Sequence, residues 1–165
     1  MKVENRLKYR MYGLVPYNIS PIQQGIQFGH AVVEYGLKHY NSSVYQEWAQ
    51  KDKTFIILNG GTTNLGTDLF NKGTLNQHLD TLNEMGVPVA TFYEPDLGGQ
   101  LTAIVFLVEE RIWNREITPS FRDFMKSEMI TSSTRQSKIK KMYKDLIGGE
   151  YNLKLREFID LFRLA

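Results

Sequence analysis

Four short segments of strand character, separated by stretches whose apolar residues recur at helical spacing, limit what this chain can fold into. Leu7 to Val15 alternates, with Leu7, Tyr9, Met11 and Val15 on one side and Lys8, Arg10 and Tyr12 on the other, the period of a strand. Thr54 to Leu58 (TFIIL) is apolar on both faces and reads as a buried central strand. Val87 to Tyr93 and Leu101 to Val108 supply the third and fourth strands, joined by the short loop Glu94 to Gln100. Between them lie helix signals. Ser20 and Pro21 form an N-cap hydroxyl followed by proline at the first helical position, opening a helix to about Tyr40. Ser42 or Ser43 caps a short helix through Trp48. Thr74 and Gln77 read as a capping box for a helix carrying Leu75, Leu79, Leu82 and Met85, ended by Gly86 and Pro88. This alternation predicts an α/β fold: a three-layer α/β/α domain over residues 1–113 around a four-stranded mixed sheet. Asn59 to Gly73 is rich in Gly, Asn and Thr and reads as a long loop with room for one helical turn, a length common in functional loops.

After Trp113 only helical patterns remain, so residues 114–165 are expected to form a basic helical extension packed on the domain. One helix starts at Thr118 and Pro119, a second at Ser132 or Ser133 with Ile139, Met142, Tyr143, Leu146 and Ile147 before Gly148 and Gly149, and a third from about Tyr151. The apolar residues of the last one, Leu155, Phe158, Ile159 and Phe162, cover the domain, a partner chain in a homodimer, or a ligand. Residues 1–110 carry 8 Lys and Arg against 11 Asp and Glu, whereas residues 111–165 carry 12 against 7. Such a basic segment, with Lys138, Lys140 and Lys141 on one helix, is either a solvated face or a contact for a polyanion such as RNA.

Composition removes several classes. The 165 residues contain no cysteine and only three histidines, His30, His39 and His78, which excludes a disulfide scaffold, a zinc finger, an iron–sulfur protein and a cysteine nucleophile. A chain of this length buries roughly 70% of its unfolded surface and needs no covalent staple. The first ten residues are polar and charged, and the longest strictly apolar runs, such as Ala103 to Val108, fall far below the roughly 20 residues that span a bilayer. A cytoplasmic protein without a membrane partner is expected.

On the first helix Gln23, Gln27, His30 and Glu34 share one narrow polar strip. Ile22, Ile26, Gly29, Val33, Gly36 and Leu37 line one side of it, the two glycines allowing a close approach to the sheet, and Phe28, Val32 and Tyr35 form a second apolar patch. The strip therefore either bonds to itself or faces a ligand. Glu94 and Asp96 flank Pro95 in a loop after a buried strand, where open α/β sheets place their sites. Asp96 there serves as a general base or organises a turn with Gly98 and Gly99. A metal site from His30, Glu34, Glu94 and Asp96 is the weaker alternative, with one histidine and no cysteine. No G-x-S-x-G elbow, P-loop or G-x-G-x-x-G motif occurs, and His39 and His78 read as surface or helix-flank residues.

Taken together, GIQFGHAVVEY (Gly25 to Tyr35), TFIIL, LNEMGVPVATFYEPD and LTAIVFLV resemble the peptidyl-tRNA hydrolase 2 family, over roughly residues 5–110. Gln27 and His30 form the Gln-x-x-His pair of the family's first helix, and Gly86 and Pro88 its strand entry before an acidic loop. The resemblance implies hydrolysis of the ester joining a peptide to the 3′ ribose of tRNA, without metal or cofactor. It implies a catalytic set of Asp96, Gln27 and His30, with Asp96 orienting or activating water. Gln23, Glu34, Glu94 and Thr102 would border the substrate, and the C-terminal lysines would lend it positive charge. Two positions depart from the pattern: Gln23 stands where the family has a lysine, and the loop reads Asp96-Leu97-Gly98-Gly99-Gln100 without the family's arginine. A non-catalytic binder of an RNA end or small nucleotide on the same fold is the alternative.

Overall fold

The computed structural model describes residues 6–64, 73–131 and 136–165. Two compact units emerge, residues 1–108 with 162–165 and residues 109–161.

The first unit is built on a four-stranded mixed sheet of β1 (Tyr9–Val15), β2 (Phe55–Asn59), β3 (Val89–Glu94) and β4 (Gln100–Glu109), in the order β2-β1-β4-β3. β1 and β2 pair in parallel from Met11 opposite Phe55 to Val15 opposite Asn59. β3 and β4 pair antiparallel from Val89 opposite Phe106 to Glu94 opposite Gln100, with an irregularity between Phe92 and Tyr93. The α/β fold read from the sequence is the observed one. Its strand order corrects the placement of one strand. β2 is an edge strand, not a central one, and its Phe55 is 51% exposed. Its apolar run packs sideways instead, Phe55 meeting the rings of Phe28 at 5.3 Å and Trp48 at 5.7 Å. The outer edge of β2 is closed by residues 163–165, whose backbone exchanges hydrogen bonds with Asn59 and Ile57. β1 lies inside the sheet, and Met11 to Val15 are buried on both faces.

The helix α1 (Pro21–His39) starts as its sequence requires. Ser20 accepts the Gln23 N–H, and the Gln23 side chain accepts the Ser20 N–H at 3.0 Å, a complete capping box with proline following the cap. Of its two expected apolar flanks only the one carrying Phe28 and Tyr35 is buried. Gln27, Phe28, Ala31 and Tyr35 are buried, whereas Ile22, Ile26, Val33 and Leu37 are exposed. The close approach is made by a glycine of the sheet: a Cβ on Gly13 would stand 2.2 Å from the Phe28 ring, while Gly29 faces open space. Beneath α1 the core gathers Met11, Val15, Phe28, Ala31, Tyr35, Trp48, Ala90, Ala103 and Val105. A short helix α2 (Ser43–Glu47), capped by Ser42, and a π turn to Asp52 bring in Tyr45 and Trp48.

The helix α3 (Thr74–Glu84) buries Leu75 and Leu82 and ends at Gly86, whose φ of 71° turns the chain toward β3. The expected capping box is not formed, because Gly73 is the cap and Thr74 the first helical residue. The Thr74 hydroxyl instead accepts the Thr62 N–H at 2.8 Å and donates to the Gly60 carbonyl, tying the loop. The helical turn suggested within Asn59 to Gly73 falls largely outside the described residues.

The second unit holds α4 (Glu110–Trp113), α5 (Phe121–Thr131), α6 (Gln136–Ile147) and α7 (Glu150–Ile159). The start suggested at Ser132 or Ser133 lies outside the described residues. Tyr143, Ile147 and Leu153 form its core with Phe121 and Phe124 against them. Gly148 and Gly149, at φ 100° and 114°, separate α6 from α7. Arg156, 2% exposed, is a residue that sequence patterning missed; its guanidinium bonds the carbonyls of Ile112, Arg111 and Thr118. Among the described residues no helix is long and apolar enough to cross a membrane.

Candidate functional site

The polar strip of α1 does not bond along the helix. Its one buried member, Gln27, is turned into the sheet and held at both ends of its amide. Thr102 on β4, itself fully buried, donates its hydroxyl to Gln27 Oε1 at 2.7 Å. Gln27 Nε2 in turn donates to Glu94 Oε2 at 2.5 Å, at the end of β3. The other carboxylate oxygen, Glu94 Oε1, accepts the Asp96 N–H at 3.4 Å and caps the 3-10 turn Pro95–Leu97. Thr102 also reaches the Phe92 carbonyl at 3.3 Å. A relay through three elements, Thr102 to Gln27 to Glu94 to the Asp96 backbone, thus fixes the loop between β3 and β4. Gln27 has both donor and acceptor satisfied, which explains how a side-chain amide is tolerated in the core.

Asp96 is exposed on that turn, which closes through Gly98 N–H to Pro95 O and Gly99 N–H to Glu94 O, both glycines at positive φ. His30, one helical turn beyond Gln27, is exposed and lies against Phe92, the ring centroids 4.4 Å apart. Phe92 had no place in the sequence reading; its signal is its position two residues before Glu94 on the same strand. Glu34 is exposed beside Lys38, whose ammonium donates to the Val89 carbonyl at 3.0 Å. Gln23 is exposed and committed to the capping box. The structure therefore draws Gln27, Thr102, Glu94 and the Asp96 backbone into one bonded cluster, with His30 on the adjoining turn of α1. Lys138, Lys140 and Lys141 are exposed on α6 of the second unit, where Ile139 and Tyr143 supply the buried face. Among the described residues no group of three or more His, Asp or Glu side chains is arranged to hold a metal ion.

Of the three histidines, His78 stands apart. It is half-buried on α3 with its ring edge-on to Phe162 at 4.7 Å, and burial pulls its pKa below the ordinary histidine value.

No family model matches the chain, and no curated protein matches it.

Proposed function

We propose that this chain is a divergent peptidyl-tRNA hydrolase, cleaving the ester between a peptide and the 3′ ribose oxygen of tRNA. The observation that carries this reading is the setting of Asp96: an exposed carboxylate on a turn whose backbone is clamped by the Glu94–Gln27–Thr102 relay. A general base works when its position is fixed and its carboxylate is open to water and substrate. In this reading Asp96 takes a proton from water as the water oxygen attacks the ester carbonyl. The tetrahedral intermediate then collapses, the bond to the ribose oxygen breaks, and that oxygen leaves with the proton returned to it. His30 donates to the oxygen that becomes negative. Gln27 and Thr102 position the turn without touching substrate, and Glu34 and Glu94 border the peptide. Lys138, Lys140 and Lys141 attract the polyanion, and the substrate sets the location as cytoplasmic.

One observation favours a second reading. Gln23 stands where the resemblance implies a cation, and it is spent on the helix cap. Stabilisation of a developing oxyanion or phosphate, commonly worth several kcal/mol, would be missing there. A binder of an RNA end or small nucleotide that has lost the chemistry fits that loss.

Single-turnover release of peptide from N-blocked aminoacyl-tRNA, run with wild type and Asp96→Asn, decides between them. Turnover that disappears in Asp96→Asn supports the hydrolase. Turnover unchanged in Asp96→Asn overturns the assignment of the base. No turnover in either, with RNA binding that survives Asp96→Asn and weakens on charge reversal of the three lysines, establishes the binder.

A further inference from the structure

We propose that the free edge of β3, beside the polar side of α1, takes an extended peptide that runs parallel to β3 toward the Asp96 turn. This inference deepens the hydrolase reading and rests on it for naming the peptide as the one esterified to tRNA. β3 ends the sheet, and the Val89 carbonyl points outward to the Lys38 ammonium at 3.0 Å. Residues of an antiparallel strand alternate in the direction of their N–H and C=O groups, so those of Thr91 point outward as well. Beyond the irregularity after Phe92 the inward position falls on Glu94, whose carbonyl accepts the Gly99 N–H, so Tyr93 also points outward. Among the described residues nothing bonds the backbone of Thr91 or Tyr93 on that side. Lys38 covers the edge at Val89, as lysines on edge strands do, and leaves these two residues open.

α1 supplies one wall. His30 lies against Phe92 and Lys38 reaches Val89, so the side of α1 turned to this edge carries His30, Glu34 and Lys38. A groove of about 360 Å³ lies there, lined by Glu34, Leu37 and Lys38 of α1 and Ala90 and Thr91 of β3. Glu34 is exposed and has no hydrogen bond or ion pair among the described residues. A carboxylate without a partner in the groove, within residues 1–110 that carry more Asp and Glu than Lys and Arg, favours a peptide with basic side chains and disfavours RNA.

The direction follows from where the chemistry lies. β3 leads through Glu94 straight into the turn that carries Asp96. The ester sits at the carboxyl end of the peptide, so that end lies at the turn and the peptide runs as β3 runs. In such a parallel pair the Thr91 N–H donates to one peptide carbonyl and the Thr91 carbonyl accepts the N–H two residues on; Tyr93 repeats the pattern. Thr91 precedes Asp96 by five positions, at most about 16 Å at ~3.3 Å per residue, so a peptide of about five residues reaches Thr91 and a single aminoacyl group does not. Main-chain bonds to a strand edge give affinity without reading sequence, which suits substrates whose peptides share only a backbone.

Two measurements test this. The first is amide NMR on the full chain, titrated to about 5 mM with acetyl-Val-Lys-Val-Lys-Val-amide, a range that captures weak binding. The Thr91 and Tyr93 amides are expected to shift, and to shift less when glutamate replaces lysine in the peptide. Thr91→Pro, which deletes an outward N–H that an edge strand can spare, should abolish the Tyr93 response with an unchanged circular dichroism spectrum. An unperturbed edge overturns the proposal, as do edge signals that move with protein concentration alone, which would give the edge to a second copy. The second measurement is turnover of tRNA carrying a blocked single aminoacyl group or a blocked pentapeptide. Wild type should have a KM lower for the pentapeptide by on the order of 10-fold, an advantage that Thr91→Pro erases. Equal KM values in wild type overturn the peptide site and leave the hydrolase reading standing. Shifted amides with no turnover on either substrate keep the peptide site and overturn the hydrolase reading.

Discussion

Gln27 on α1 and Glu94 on β3, 67 residues apart in sequence, are joined by an amide-to-carboxylate hydrogen bond of 2.5 Å, and the Thr102 hydroxyl holds the other end of the same amide. Gln27→Leu keeps the volume and deletes both bonds, leaving the buried Thr102 hydroxyl and the Glu94 carboxylate without that partner. A loss of about 2 kcal/mol is expected from the unmade bonds, measured by urea unfolding. Because the Asp96 turn hangs from the same carboxylate, any turnover should fall more in Gln27→Leu than in a Thr102→Val variant, which leaves the Gln27 to Glu94 bond in place. Equal losses in the two would separate the relay from the turn.

Gly13 and Phe28 are in contact at a distance that leaves no room for a side chain on the strand. A Cβ at Gly13 would lie 2.2 Å from Phe28 Cε2 and 3.1 Å from Val105 Cγ1. Phe28 is itself wedged edge-on against Phe55, so its ring has little room to yield. Gly13→Ala is expected to destabilise by about 2 kcal/mol, within the range for overpacking a well-filled core. In the double variant Gly13→Ala with Phe28→Leu the added methyl should cost less than it does beside the full ring. A thermodynamic cycle over the four proteins reads that coupling directly.

How much of this was legible in the chain is seen at particular residues. The Ser20–Pro21 start, the Gly86 stop and the four strands are local signals, and they mark the observed elements. Two inferences from hydrophobicity inverted. TFIIL was read as central because it is apolar on both faces, yet β2 sits at the edge, where the Phe55 ring meets Phe28 and Trp48 and residues 163–165 close the backbone. α1 was read as apolar on two flanks; the Phe28 and Tyr35 flank is buried, yet the Ile22, Ile26, Val33 and Leu37 flank is exposed and the helix buries Gln27. Aliphatic periodicity assumes that polar groups stay in water, and Gln27 breaks the rule because Thr102 and Glu94, distant in sequence, satisfy it. The acidic loop was legible as a candidate site. The relay that clamps it was not, since its bonds join α1, β3 and β4 and no local spacing encodes them.

Arg156 offers the corresponding test in the helical unit. Its guanidinium, buried on α7, bonds three backbone carbonyls from Arg111, Ile112 and Thr118, tying α7 to α4 and to the segment before α5. Arg156→Met is expected to cost about 3 kcal/mol, because those buried acceptors lose a charged donor. Arg156→Lys should recover little, since one ammonium cannot reproduce a planar fork. Thermal unfolding followed at an aromatic signal reads both variants, and near-full stability in Arg156→Lys would show that the charge alone suffices.

His78 sets a pH dependence with a definite sign. Burial beside Phe162 disfavours its charged form, so the folded protein holds that proton less tightly than the unfolded chain does. The associated stability is fully present above the unfolded value, near 6.5. As pH falls below it the unfolded state takes up the proton first, and the contribution is lost progressively until the folded-state pKa is passed. His78→Gln removes the titration while keeping a polar side chain on α3. Denaturation midpoints between pH 8 and pH 5 should therefore fall less steeply for His78→Gln than for wild type. Parallel profiles would place the acid sensitivity of the fold on other groups.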